Sequence, residues 1–555
     1  MASETSTNDA PYTIVRDSST STPSLPTKRY VHERSNNGGR LGFYDRIFYM
    51  VHRLGLQANI LVSARYAPSD QDSGHGRRLS RDAVVAALRS VVEVHSALRM
   101  IAVIRKEGRD SKHYVKLGML KSIDLGQCIE FVDDLDSVGT DFFEKIHNTW
   151  EWFEEEPSGP WWRVYVVGGR DVVWVSHHVL CDANSGIPFH RTFLHGLNSY
   201  ATEKPTSVDP IISLDPVTAP LFPEPMTLSK HEPSILELIW TNVKRLFVRV
   251  MFGSSLMFIS LPEPKPYFKS ITEVAPPEMR TVTCVSAIRI PAEKMDRILT
   301  ACRANGTTFT GLLMVMLLAT FSVDLFPDDR VGCSLFAFDI RRHLRMPKLD
   351  PVLARDGIML NGGSGGFLTH WLRNYRKVVT TGDKDNKSTE GPSVNAKVVW
   401  ELARWYKQAM VRGIPNRYMR GWMAGGLLGQ DLEGFVGRIL GGIGRVTGKS
   451  FLCSNLGAFD FNTSVPRGED VSEQQPWTVK DLQFSASCVN GNVGSRGFVF
   501  NVVGVKGADT VIHLSYEKGV VSRELAEDSL RFTMDKIDSL LAGEDRAVLA
   551  ASAQE

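Results

Sequence analysis

Apolar positions along the 555-residue chain follow two alternating rhythms. After Ser80, which can cap a first turn, Val84, Leu88, Val91 and Val92 recur at the three- and four-residue steps of one helix face. MIAVIRK, from Met100, then reads as a short strand. Further on, WWRVYVV and DVVWVSHH are rich in β-branched and aromatic residues, and Gly168, Gly169 and Arg170 join them at the spacing of a hairpin. His177 and His178 therefore close a strand. Beyond them Asp182, Asn184 and Ser185 are turn or cap residues, and Phe189, Phe193, Leu194 and Leu197 return to the helical step. The two histidines stand at a strand-to-helix junction.

The second half repeats the mixture. PAEKMDRILTACRANG and TFTGLLMVMLLATF read as helices and VGCSLFAFDIR as a strand; FLCSNLG, GFVFNVVGV and TVIHLSYEKG are strand-like, and a last helix runs from about Ser522 to Leu541. A proline-rich run from Thr202 to Pro225 separates two α/β lobes of comparable size, and the polar TGDKDNKSTEGPS from Thr381 reads as a surface loop of the later lobe. The expected division is a tail over 1–28, a first lobe over 29–201, a linker over 202–280, a second lobe over 281–541 and a tail over 542–555.

Composition narrows the function. Hydrophobic residues make up 43% and charged residues 23%, a globular balance, and 64 Lys+Arg against 62 Asp+Glu leave a net charge of +2 without a basic block. No nucleic-acid partner is expected. Seven cysteines without a CxxC pair suggest neither a zinc ribbon nor a disulfide framework, so a reducing compartment, the cytoplasm, is the default. The Ser/Thr-rich opening lacks the apolar core of a secretory signal and reads as a mobile tail. LFVRVMFGSSLMFISLP, Leu246 to Pro262, is interrupted by Arg249 and preceded by Lys244 and Arg245. It is shorter than the roughly 20 apolar residues a membrane span needs. Two readings stay open for it: an amphipathic segment at a membrane or lipid-droplet surface, and a helix packed along the lobe junction with its arginines in solvent.

HHVLCDA, His177 to Ala183, is where chemistry is most plausible. A histidine at a strand end can present one ring nitrogen to a cavity, and an ordinary pKa near 6.5 leaves it mostly neutral at pH 7, as a general base must be. The His-xxx-Asp spacing taken alone favours a buried structural histidine over a catalytic one. Cys181 raises a Cys/His hydrolase, against which its apolar neighbours Val179 and Leu180 favour an inert thiol. His190 and His195 lack the spacing of a metal site, so no metal is expected. NGGSGG from Asn361 follows no dinucleotide-binding pattern and reads as a flexible loop.

PWWRVYVVGGRDVVWVSHHVLCDANSG resembles the HHxxxDG segment of the CoA-dependent acyltransferase superfamily, which holds chloramphenicol acetyltransferase, BAHD enzymes and condensation domains. GRLGFYDRIFYM and VVEVHSALRM precede it, and FDIRRHLRMP and FLCSNLGAFD follow it, in the order seen in the fungal alcohol O-acetyltransferase family; no DFGWG of BAHD enzymes is found. The resemblance runs from about Arg40 to Leu541. It implies an α/β fold of two chloramphenicol acetyltransferase-like lobes, each a mixed sheet with flanking helices, enclosing a tunnel for acyl-CoA and acceptor. It also implies His178 as general base, Asp182 paired with Arg341 as architecture, and Ser454 and Asn455 in a turn as oxyanion or substrate-positioning candidates. Acyl-CoA, acetyl-CoA first, would be a cosubstrate with no permanently bound cofactor, and the acceptor a hydrophobic alcohol; a lipophilic amine, or a silent ligand-binding protein, is the alternative. A monomer is expected. Ala183 stands where the family usually has glycine, and would be strained by about 1–2 kcal/mol if that position needed a positive φ.

Overall fold

The computed structural model describes residues 12–14, 41–69, 77–107, 112–154, 157–203, 207–213, 225–226, 228–257, 272–345, 359–380, 393–428, 432–433, 450–461, 476–490 and 497–552. Most of the expected N-terminal tail, much of the proline-rich run, the stretch 258–262 and the polar stretch 381–392 lie outside the described residues.

Two mixed sheets organise the chain. The first has five strands in the order Trp477–Ala486, Asn59–Pro68, Asp171–His177, Trp162–Val167, Ile129–Val132, antiparallel except at the last pair. The second has six, in the order Thr283–Ile290, Thr510–Glu517, Phe498–Val505, Phe451–Phe459, Val331–Asp339, Gly363–Trp371. Its two central pairings, around Phe451–Phe459, are parallel, which places the carboxyl ends of three strands at one edge.

Local chemistry accounts for most of these elements. The Ser80 hydroxyl accepts from the Ala83 N–H and caps the helix Arg81–Val94, whose Val84, Leu88, Val91 and Val92 are fully buried. Val167 pairs with Asp171 across the Gly168–Arg170 turn, and both hairpin strands are almost wholly buried. The helix Phe309–Thr320 is apolar on every side because it is covered on every side; it packs against the helices Ala396–Gly413 and Arg523–Ser552.

Four expectations change. Tyr12–Ile14, inside the expected tail, is a strand paired with Gly118–Leu120. The last helix runs on past Leu541 to Ser552, through the expected C-terminal tail. NGGSGG is no loop: Gly363 opens the edge strand Gly363–Trp371, and a Cβ at Gly366 would lie 2.3 Å from the Phe336 ring on the neighbouring strand. Finally, Trp477–Ala486 comes from the second half of the chain but completes the first sheet, with Ile60 opposite Ala486. The linker between the halves is therefore not a clean division between the sheets.

Candidate active site

The strand Asp171–His177 ends as it leaves the first sheet, and its last residue turns fully inward. His177 is packed against the rings of Trp161, at 4.9 Å, and His52, at 4.3 Å. The Val179 N–H donates to its Nδ1 at 2.9 Å, which leaves the proton on Nε2. Burial, reinforced by His52 and His178, holds its pKa well below the ordinary histidine value. It is a neutral core residue. His178, one step on, lies in the turn and is only half-buried. Its imidazole stacks on Phe48, with centroids 3.7 Å apart and planes 11° from parallel. Phe48 belongs to the opening helix Phe43–Arg53, so a second element sets the ring plane of His178.

Below this turn the lobes are joined by an ion pair. Asp182 caps the short turn Ala183–Ser185 by accepting from the Ser185 N–H. Arg341 follows the strand Val331–Asp339 of the second sheet, and its two terminal nitrogens each donate to an Asp182 carboxylate oxygen at 2.8 Å. Both residues are buried. The remaining valences are filled: Arg341 also donates to Asp339, to the Ser185 hydroxyl and to the Leu360 carbonyl, and the Gly362 N–H donates to Asp182 at 3.0 Å. Gly362 can approach because it has no side chain; a Cβ there would stand 2.9 Å from the Arg341 guanidinium. Burial alone would push the Asp182 carboxyl up, but the Arg341 charge and hydrogen bonds outweigh it and hold the pKa below the usual carboxylate range. Arg341 is correspondingly raised: burial opposes its charge, and Asp182 more than restores it.

The other sequence candidates take varied positions. Ser454 and Asn455 lie within the strand Phe451–Phe459 rather than in a turn after it. That strand runs parallel to Val331–Asp339, with Cys453 opposite Phe336, so Asn455 comes to the same edge of the sheet as Arg341. The Asn455 amide is already engaged: its nitrogen donates to Thr310 at 3.0 Å and its oxygen accepts from the Gly457 N–H at 2.9 Å. Ala183 does not adopt a positive φ; among the described residues only Trp150 and Trp152 do so without being glycine. The anticipated strain at Ala183 is thus not present. Cys181 is fully buried in the first core cluster, and His190 is held in the core by the Tyr66 hydroxyl at 2.9 Å and the Val62 carbonyl.

Sequence reasoning missed Phe48, the Leu360 carbonyl and the Gly362 N–H. The first sits inside GRLGFYDRIFYM, a segment singled out without assigning a role to any ring in it. The other two lie at the start of the glycine run that read as a loop.

Residues 40–346 match the family model described as alcohol acetyltransferase. The chain is 27% identical over 224 residues to an uncharacterized protein of Schizosaccharomyces pombe, and 27% identical over 216 residues to a probable alcohol acetyltransferase, crmB, of Aspergillus fumigatus. These matches cover 38% and 35% of this chain and 43% and 45% of the relatives, so the chain spans less than half the length of the curated relatives it matches. Among solved structures it is similar to the TRI3 trichothecene 15-O-acetyltransferase of Fusarium sporotrichioides, with a TM-score of 0.61 and 12% identity over 90% of this chain and 94% of that one. At that identity the likeness is one of fold.

Proposed function

The chain belongs to the alcohol acetyltransferase family, and from that premise we propose that it is an acyl-CoA-dependent O-acyltransferase, with acetyl-CoA as donor, esterifying the hydroxyl of a small hydrophobic alcohol or secondary metabolite. The observation that carries the reading is the pair of unlike histidines: His177 locked in the core, and His178 half-exposed on Phe48 beside the inter-lobe ion pair.

A thioester is already activated, so no covalent enzyme intermediate is needed. His178 takes the acceptor's hydroxyl proton as the oxygen bonds to the thioester carbonyl carbon. The resulting oxyanion needs donors aimed at it, and Ser454 is the better of the two candidates because the Asn455 amide is committed to Thr310. Collapse breaks the carbon–sulfur bond, and the departing CoA sulfur takes the proton back from the imidazolium. Ester and free CoA leave. Asp182 and Arg341 touch no reacting atom; they hold the turn that carries His178.

Release of free CoA from acetyl-CoA, measured over a panel of alcohols, tests the proposal. His178→Ala lowers turnover by about 10²–10⁴-fold, the range of general-base loss, while acetyl-CoA binding survives. His177→Ala lowers the melting temperature more than turnover. Equal losses of turnover in the two variants, or no release above slow hydrolysis, would contradict the assignment.

A further inference from the structure

We propose that the helix Ile235–Phe252 is a docking face for an anionic lipid surface. Nine of its 18 residues are large apolar side chains exposed to solvent. Leu236, Trp240, Val243, Phe247 and Val250 recur at three- and four-residue steps and form one stripe; Leu236 is 76%, Trp240 63% and Val250 72% exposed. The opposite face, turned to the protein, carries Thr241, Arg245, Val248 and Arg249, with the Arg245 guanidinium 3.3 Å above the Phe367 ring. A helix on a water-facing surface does the reverse, burying its apolar stripe and exposing its charges. This one is inverted. At its C-terminal end Phe252 meets the ring of Trp371, itself half-exposed, which extends the apolar surface onto the second sheet.

Charge selects the occupant. Of the four cationic side chains between Lys230 and Phe252, Arg245 and Arg249 belong to the face turned to the protein, while Lys230 and Lys244 are exposed, as is the carboxylate Glu232. Lys244 is exposed at the edge of the stripe, and exposed Arg420 sits at its N-terminal end, where the Ser234 N–H donates to the Arg420 carbonyl. An apolar face that contains an exposed tryptophan and is bordered by Lys244 and Arg420 matches the interface of an anionic bilayer. A second copy of the chain is the competing occupant, and the experiment below separates the two. Among the described residues no single helix is long and apolar enough to cross a membrane, so the helix would lie in the surface rather than span it.

The position also connects to the site. The helix packs on the helix Met419–Leu428, whose Trp422 stacks on Tyr44 at 4.7 Å, one turn before Phe48 beneath His178. An acceptor dissolved in lipid would meet the protein on the flank that leads to its catalytic histidine. The docking face itself does not rest on the transferase reading.

Flotation of the full chain with phosphatidylcholine vesicles, with and without phosphatidylserine, decides the matter. The expected result is cofloating that phosphatidylserine strengthens and salt weakens, reduced at least about tenfold in Trp240→Glu, Phe247→Glu at unchanged melting temperature. Should that variant fold poorly, Leu236→Ser, Val250→Ser gives the same comparison with a milder change. No flotation of the native chain on either vesicle overturns the proposal, and so does flotation that the folded variants retain. A concentration-dependent dimer dissolved by these substitutions, without flotation, assigns the face to a second copy and equally overturns it. Transfer to a short water-soluble alcohol, unchanged in the variants, keeps this result separate from any failure of the transferase reading.

Discussion

The joint at Asp182 and Arg341 and the helix Ile235–Phe252 both invert the usual rule of burial, one by hiding charge and the other by exposing apolar surface. At the joint the inversion is closed within the chain. Each carboxylate oxygen receives a guanidinium nitrogen, and Ser185, Leu360, Gly362 and Asp339 take up further hydrogen bonds. On the helix the apolar stripe is left to the surroundings. An inversion compensated inside the protein serves architecture, and the one left open is the face proposed above for docking.

That contrast can be attacked first with acid. Burial depresses the pKa of His52, His95 and His190 to about 4 and of His147, His370 and His513 to about 3. Below about 6.5, the unfolded value, the unfolded chain takes up protons that these folded histidines refuse. Stability should therefore fall as pH falls, by up to about 1.4 kcal/mol per pH unit for each histidine, until the folded values near 3–4 are reached. Thermal melts at about pH 7 and about pH 5 measure this. The stripe contains no histidine, so Trp240→Glu, Phe247→Glu should follow the same curve.

The next effect in size is the joint itself. Asp182→Ala or Arg341→Ala should each cost about 3–5 kcal/mol by leaving the partner buried and uncompensated, and the double variant should lose less than the sum. Strict additivity in denaturant melts would break the account of a closed inversion. Because the folded Asp182 pKa is lowered, its contribution is complete above the unfolded value of about 3.9 and lost as pH falls through the folded one. Asp182→Asn should thus flatten the acid limb below about pH 4. Smallest of all, substitutions on the exposed stripe should change stability by no more than about 0.5 kcal/mol each. A loss of several kcal/mol there would mean that the chain covers its own stripe.

Much of the site was readable because local rules apply to it. The hairpin, the Ser80 cap and the strand end at the two histidines each follow from a few adjacent residues, whereas the pairing of Asp182 with Arg341 was legible only through the family resemblance. What escaped depends on distant partners. Phe48 under His178 joins residues 130 positions apart in sequence, a relation that periodicity cannot express. Glycine hides alternation, so the strand at Gly363 looked like a loop. The apolar run from Leu246 signalled an unusual helix; its start is marked locally by the Ser234 cap, which accepts from the Glu237 N–H, but the outward turn of its stripe is set by what lies behind it. For the same reason Phe252, which packs on Trp371, is a poorer target for substitution than Trp240.

The strand Trp477–Ala486 has a consequence for the order in which the molecule is made. Asn59–Pro68 emerges early from a ribosome, but its outer neighbour follows more than 400 residues later. At about 5–20 residues per second, that strand waits some tens of seconds with one edge unpaired. An open edge is a template for any extended segment nearby. The nascent first lobe should need shielding until its last strand arrives, and a fragment ending before Trp477 should aggregate however well its own core is packed.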